Sequence, residues 1–122
     1  MAQDFNVIGG GDLHIAILYC EECPSYERTF QRVRKVLDEE GLKVKLEIKR
    51  VETDDEAERY HFIGSPTILI NDRDIDPTPS SIYRAQACRA YKLANGRISP
   101  LPSEEMVRKA IRTAIANLKN PR

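Results

Sequence analysis

Two hydrophobic periods alternate between His14 and Lys49, and that alternation restricts the chain to a small set of folds. The run Ile15-Ala16-Ile17-Leu18-Tyr19 is short, apolar and rich in β-formers, the pattern of a buried strand. Tyr26, Phe30, Val33 and Leu37 then recur at steps of four, three and four residues. That spacing makes one apolar helix face, with Arg28, Arg32, Lys35 and Glu39 placed elsewhere as a solvated face. Gly41 suits the C′ position that ends such a helix. Next, Leu42, Val44, Leu46 and Ile48 alternate with Lys43, Lys45, Glu47 and Lys49, as in a strand with one face exposed. A strand, a helix and a strand in this order imply a right-handed parallel crossover.

The remainder extends that unit. Thr53-Asp54-Asp55-Glu56 reads as a capping box, in which threonine reaches the N3 amide and glutamate reaches back, opening a short helix to about His61. After Gly64, Ser65-Pro66-Thr67-Ile68-Leu69-Ile70 is a second buried-strand run, closed by a turn-like Asn71-Asp72-Arg73-Asp74. Cys88 to Leu93 fits a further strand before a turn at Asn95-Gly96. Ser103 caps a last helix whose apolar face is Val107, Ile111, Ala114 and Leu118. The expected order is β-α-β-α-β-β-α, an α/β fold with a four-stranded mixed central sheet in which 66–70 and 88–93 pair as a hairpin. Residues 72–86, kept irregular by Pro77 and Pro79, are expected as a loop insertion between those strands. Long ordered loops are often functional, and idle surface insertions are at least as frequent.

Length and charge narrow the functional classes. The chain has 122 residues, enough for a single domain (1–122) with a real core and no need of a metal or disulfides to fold. Residues 1–12, ending in Gly9-Gly10-Gly11, read as a loose leader. Nineteen basic and nineteen acidic residues cancel, which argues against recognition of nucleic acid or a membrane surface by bulk charge. The longest apolar run, Ile15 to Cys20, is too short to span a bilayer, and no secretory signal pattern opens the chain, so a cytoplasmic location is expected. Three cysteines do not make an even disulfide framework, and a close pair in a reducing compartment points to redox or metal chemistry.

Cys20-Glu21-Glu22-Cys23 directly follows the first strand, and Tyr60-His61-Phe62-Ile63-Gly64-Ser65-Pro66-Thr67-Ile68-Leu69-Ile70 leads into the third. With these two elements the chain, from about His14 to Leu118, resembles the thioredoxin-like superfamily. The resemblance implies a three-layer fold and a cis Ser65–Pro66 bond packed beside the reactive cysteine. It also implies that the Ser65 backbone pairs with an extended substrate segment. In thioredoxin and glutaredoxin relatives the nucleophilic thiol sits at the N-terminus of the first helix, with a resolving thiol three residues later. Pro24 suits N1 of the helix, which makes Cys23 its N-cap, beside unpaired amides and the positive dipole end. Thiols so placed drop from about 8.5 into roughly the 3.5–7.5 range. Cys23 thus takes the nucleophile's place, Tyr26 stands where the family's resolving cysteine would be, and Cys20 is the close partner left to resolve. Unlike the family pattern, no tryptophan precedes the motif.

Glu21 and Glu22 oppose the dipole by like-charge repulsion, so the pair is expected to be reducing rather than strongly oxidising. Attack by Cys20 with Cys23 resolving is the alternative assignment. The expected activity is thiol–disulfide exchange on a protein or small-molecule disulfide, with no cofactor and an external reductant. A second reading is thiolate binding of a soft metal such as zinc, copper(I) or mercury by Cys20 and Cys23, with Cys88 as a possible third ligand. A third is a redox-inactive interaction module. Cys88 also suits a small buried strand position, His61 a helix cap and Tyr26 core packing.

Overall fold

Alternate side chains of the first strand face opposite ways, and each set seeds its own core. In the computed structural model, which describes residues 13–21, 25–76 and 89–119, this strand is β1 (Ile15–Tyr19). It is followed by α1 (Ser25–Glu39), β2 (Leu46–Arg50), α2 (Asp54–Tyr60), β3 (Thr67–Ile70) and β4 (Arg73–Asp74). The chain then forms β5 (Tyr91–Lys92), β6 (Ile98–Ser99) and α3 (Glu104–Lys119). Ile15 and Ile17 pack with Val33, Val36 and Leu37 of α1, Ile68 and Ile70 of β3, and Val107 and Ile111 of α3. Leu18 and Cys20 instead join Val51, Ala57 and Phe62 in a second buried cluster on the α2 side.

The result is a mixed α/β fold with a four-stranded mixed sheet, ordered β2-β1-β3-β4, and three helices. β1 pairs in parallel with β2, Ile15 facing Leu46, and antiparallel with β3, Leu18 facing Thr67. The crossover helix ends where Gly41 takes a left-handed φ of 71°. There Leu42 N–H reaches Leu37 C=O at 2.9 Å and Gly41 N–H reaches Asp38 C=O at 3.1 Å, a Schellman end. Leu42 is therefore part of the helix stop, and the strand anticipated from Leu42 begins only at Leu46. The polar face of α1 is not wholly solvated either. Lys35 pairs with Glu104 at 2.8 Å, and Arg32 donates to Pro102 C=O at 2.7 Å, tying α1 to the start of α3.

The hairpin expected between 66–70 and 88–93 is not the one formed. β3 turns back at once through Asn71 and Asp72, both at positive φ (51° and 68°), and pairs with Arg73–Asp74. Two central residues with φ > 0 make a primed turn whose twist matches the strands, and Asn and Asp tolerate that conformation best after glycine. A two-residue closure also costs less chain entropy than a long loop. Asn71 adds side-chain and backbone bonds to His14, fastening the turn to the start of β1. Tyr91–Lys92 pairs instead with Ile98–Ser99 around Asn95-Gly96, in a separate two-stranded sheet. Of the expected 72–86 insertion, residues 73–74 belong to the main sheet, and 77–88 lie outside the described residues, as does the leader 1–12. Among the described residues no helix is long and apolar enough to cross a membrane.

The short helix α2 depends on its cap. Thr53 Oγ1 accepts from Glu56 N–H at 3.1 Å, and the Glu56 carboxylate accepts from the Glu52 and Thr53 amides at 2.8 and 3.3 Å. Those donors, Glu52 first, hold the Glu56 carboxyl below its ordinary range. A depressed carboxyl stabilises the fold above the unfolded value, about 4.3, and that contribution fades as pH falls through the folded value. Thr53→Ala is expected to cost about 1 kcal/mol in urea unfolding. Glu56→Gln is expected to be less stable than the parent at neutral pH, with the difference shrinking in acid, as a pH series of urea midpoints would read.

Candidate functional site

The β1–β3 ladder decides what meets at the C-terminal end of β1. Residue 15 faces 70 and residue 18 faces 67, where the ladder ends, so Cys20, just beyond β1, and Ser65, just before β3, come to the same end of the sheet. Cys20 follows β1 directly and is 1% exposed, packed among Leu18, Val51, Ala57 and Phe62. Val51 N–H donates to Tyr19 C=O at 2.8 Å, holding the end of β2 against the same spot. Glu21 is exposed. Tyr19 stacks on Tyr26 with ring centroids 4.0 Å apart and planes at 15°, which fastens the first turn of α1 to the end of β1. Residues 22–24, Cys23 among them, lie outside the described residues, and so does Cys88.

Ser65 arrives by a tightly specified path. Helix α2 stops at His61, in the left-handed region at φ 55°, with Phe62 N–H returning to Ala57 C=O at 2.8 Å. The His61 cap is thus supplied by its backbone. Gly64, at φ 152°, takes a conformation that side chains rarely adopt. Thr67 Oγ1 donates back to Gly64 C=O at 2.6 Å, and the Ser65–Pro66 peptide bond is cis. Ser65 is 2% exposed, and its hydroxyl has no hydrogen-bond partner among the described residues. The other half of its peptide is engaged, since Ser65 C=O accepts Arg89 N–H at 3.1 Å.

Arg89 is the member of the site that the sequence did not reveal. Its buried guanidinium holds Asp74 through two bonds of 2.8 and 2.9 Å, reaches Thr67 Oγ1 at 3.2 Å and also donates to Asp76 C=O. It lies 4.6 Å over the ring of Tyr91, whose hydroxyl donates to Pro66 C=O. Burial pushes the Tyr91 phenol far above its ordinary value, so it remains a donor at any working pH. These residues clamp the Ser65-Pro66-Thr67 turn through bonds to all three of its residues. The only trace in the sequence is one arginine downstream of two aspartates, with no period to relate them.

The structure thus brings Cys20, Ser65 and Pro66 to one end of the sheet and puts His14 at the other end, where it pairs with Glu47 at 3.1 Å. Among the described residues, no group of three His, Cys, Asp or Glu side chains is arranged to hold a metal ion. The chain belongs to a family described as a domain of unknown function, DUF2703, which matches residues 16–111. That span runs from β1 into α3 and takes in Cys20, Ser65, Pro66 and Arg89. No curated protein matches the chain.

Removing the guanidinium leaves Asp74 as an uncompensated charge that is only 13% exposed. Arg89→Leu is expected to cost about 3–5 kcal/mol, and Tyr91→Phe, which strands one buried carbonyl, about 1–3 kcal/mol. Urea unfolding of both variants, with Asp74→Leu/Arg89→Leu as the third, tests this. The double variant should lose less than Arg89→Leu alone.

Proposed function

We propose that this protein is a small thiol–disulfide oxidoreductase of the thioredoxin-like type. The observation that supports the reading is the register of β1 and β3, which brings Cys20 and Ser65-Pro66 to the same end of the sheet, the end where α1 begins. A C-x-x-C pair whose first thiol is held there has its second thiol two residues ahead of the α1 start. The burial of Cys20 supports the division of labour. A thiol that is 1% exposed is out of reach of a bulky disulfide and suits an internal second step.

In this mechanism the Cys23 thiolate attacks one sulfur of the substrate disulfide, forming a mixed disulfide and releasing the other half as a thiolate. The Cys20 thiolate then attacks Cys23 Sγ, releasing the second half and leaving a Cys20–Cys23 disulfide. Two electrons pass from the pair to the substrate, and an external dithiol restores them by the same exchange. The substrate is a protein or small-molecule disulfide, and no cofactor takes part. An extended substrate segment that pairs with the Ser65 carbonyl displaces Arg89 N–H from it.

Single Cys→Ser variants test the assignment with a mixed-disulfide trap. Cys20→Ser should accumulate the adduct, and Cys23→Ser should form none. Adduct on Cys23→Ser but not on Cys20→Ser would reverse the roles. A pair that cannot be cycled in defined redox buffers, or that cycles without reducing a model disulfide protein, would refute the activity itself.

A further inference from the structure

Strand β2 lies at one edge of the sheet, and its outer side carries no strand among the described residues. Val51 N–H bonds to Tyr19 C=O, and bonding residues alternate along a parallel ladder. Residues 47, 49 and 51 therefore bond toward β1, while 46, 48 and 50 aim their N–H and C=O groups away from it. At the centre of that outward row is Ile48, 41% exposed. It lines an open groove of about 390 Å³ with Tyr26, Glu27, Phe30 and Gln31 of α1. On the opposite face, Glu47 points toward His14, and Lys49 lies 4.9 Å over the Tyr60 ring.

An edge this polar is often a guard against pairing, because lysines repel an incoming strand. Here the order of the charges works the other way. An antiparallel copy centred on Ile48 sets residue 48 against 48, 46 against 50 and 47 against 49. All three outward-facing positions, 46, 48 and 50, then meet outward-facing positions of the copy. Glu47 faces Lys49 twice, no like charges lie directly opposite, and each Ile48 enters the groove beside Tyr26 and Phe30.

We infer that β2 is a self-pairing edge: two copies of this chain join antiparallel about Ile48, making one continuous eight-stranded sheet. The occupant is a second copy, because the Glu47–Lys49 order and the outward backbone groups are complementary to themselves under one two-fold axis. This inference does not depend on the thiol chemistry.

Sedimentation of the full chain in excess reductant, across a concentration series, tests it; reductant removes any disulfide-linked dimer. The parent should shift with concentration from 13.9 kDa toward twice that mass. Glu47→Lys turns both facing pairs repulsive and should weaken the dimer by about tenfold. Adding Lys49→Glu restores opposite charges and should recover it, while Ile48→Lys should abolish it. Circular dichroism checks that each variant is folded; Glu47 and Ile48 are exposed, and half-buried Lys49 also donates to the Tyr60 hydroxyl at 3.1 Å. A parent that stays monomeric overturns the inference. So does a dimer indifferent to Ile48→Lys, or a charge swap that fails to rescue.

Discussion

Strand β1 is hydrogen-bonded on both edges and covered on both faces, and the position of every other element follows from it. Its parallel partner β2 requires the crossover helix α1, and its antiparallel partner β3 brings the Ser65-Pro66 turn alongside its end. Its odd-numbered residues face the α1–α3 core and its even-numbered ones the α2 core. A one-residue slip against β3 would exchange the two faces and carry Cys20 away from Ser65. Burial on two sides therefore stabilises the register as well as the strand, and the register is what assembles the site.

The Arg89 cluster supports the other wall of that site. A buried arginine is tolerable only when its fork of donors is satisfied, and here a carboxylate, a hydroxyl and a carbonyl satisfy it. The acceptors come from β3, β4 and the stretch after β4, so one side chain ties the short β4 segment to the buried β3. β4 is only two residues long, and without Asp74 in this network little would hold it to the sheet. The early turn at Asn71-Asp72 and the Arg89 cluster are thus two halves of one arrangement. The turn presents Asp74, and Asp74 anchors Arg89 with its N–H on the Ser65 carbonyl.

How much of this could be read in advance depended on whether a residue signals through period or through partner. The strand–helix–strand unit, the Gly41 stop and the Thr53–Glu56 box are local patterns, and each is formed, with the second strand starting at Leu46 rather than Leu42. The hairpin of β3 was misplaced because Arg73 and Asp74 look like the continuation of a polar turn. Their strand character comes from pairing with Leu69 and Ile70, not from their own side chains. Tyr91–Lys92 was recognised as extended but given the wrong partner, since the strand beyond Asn95-Gly96 is only two residues long. Of the residues singled out in the sequence, Cys20 and Cys23 carried a motif, and Ser65 and Pro66 came from the resemblance; Cys23 lies outside the described residues. Arg89 did not stand out, because a bidentate ion pair across fifteen residues leaves no periodic trace.

The unequal division of the interior has a dynamic side. Among the described residues, eleven buried ones form the core beneath α1 and α3, whereas five, Cys20 among them, form the one beneath α2. Local opening is cheapest where least apolar surface is buried, and such units detach as cooperative pieces ahead of the rest. A seven-residue helix over a small cluster is such a unit. Excursions that lift α2 would uncover the Cys20 sulfur while the larger core stays shut. Solvent access to this thiol then follows local opening of α2 rather than unfolding of the whole domain.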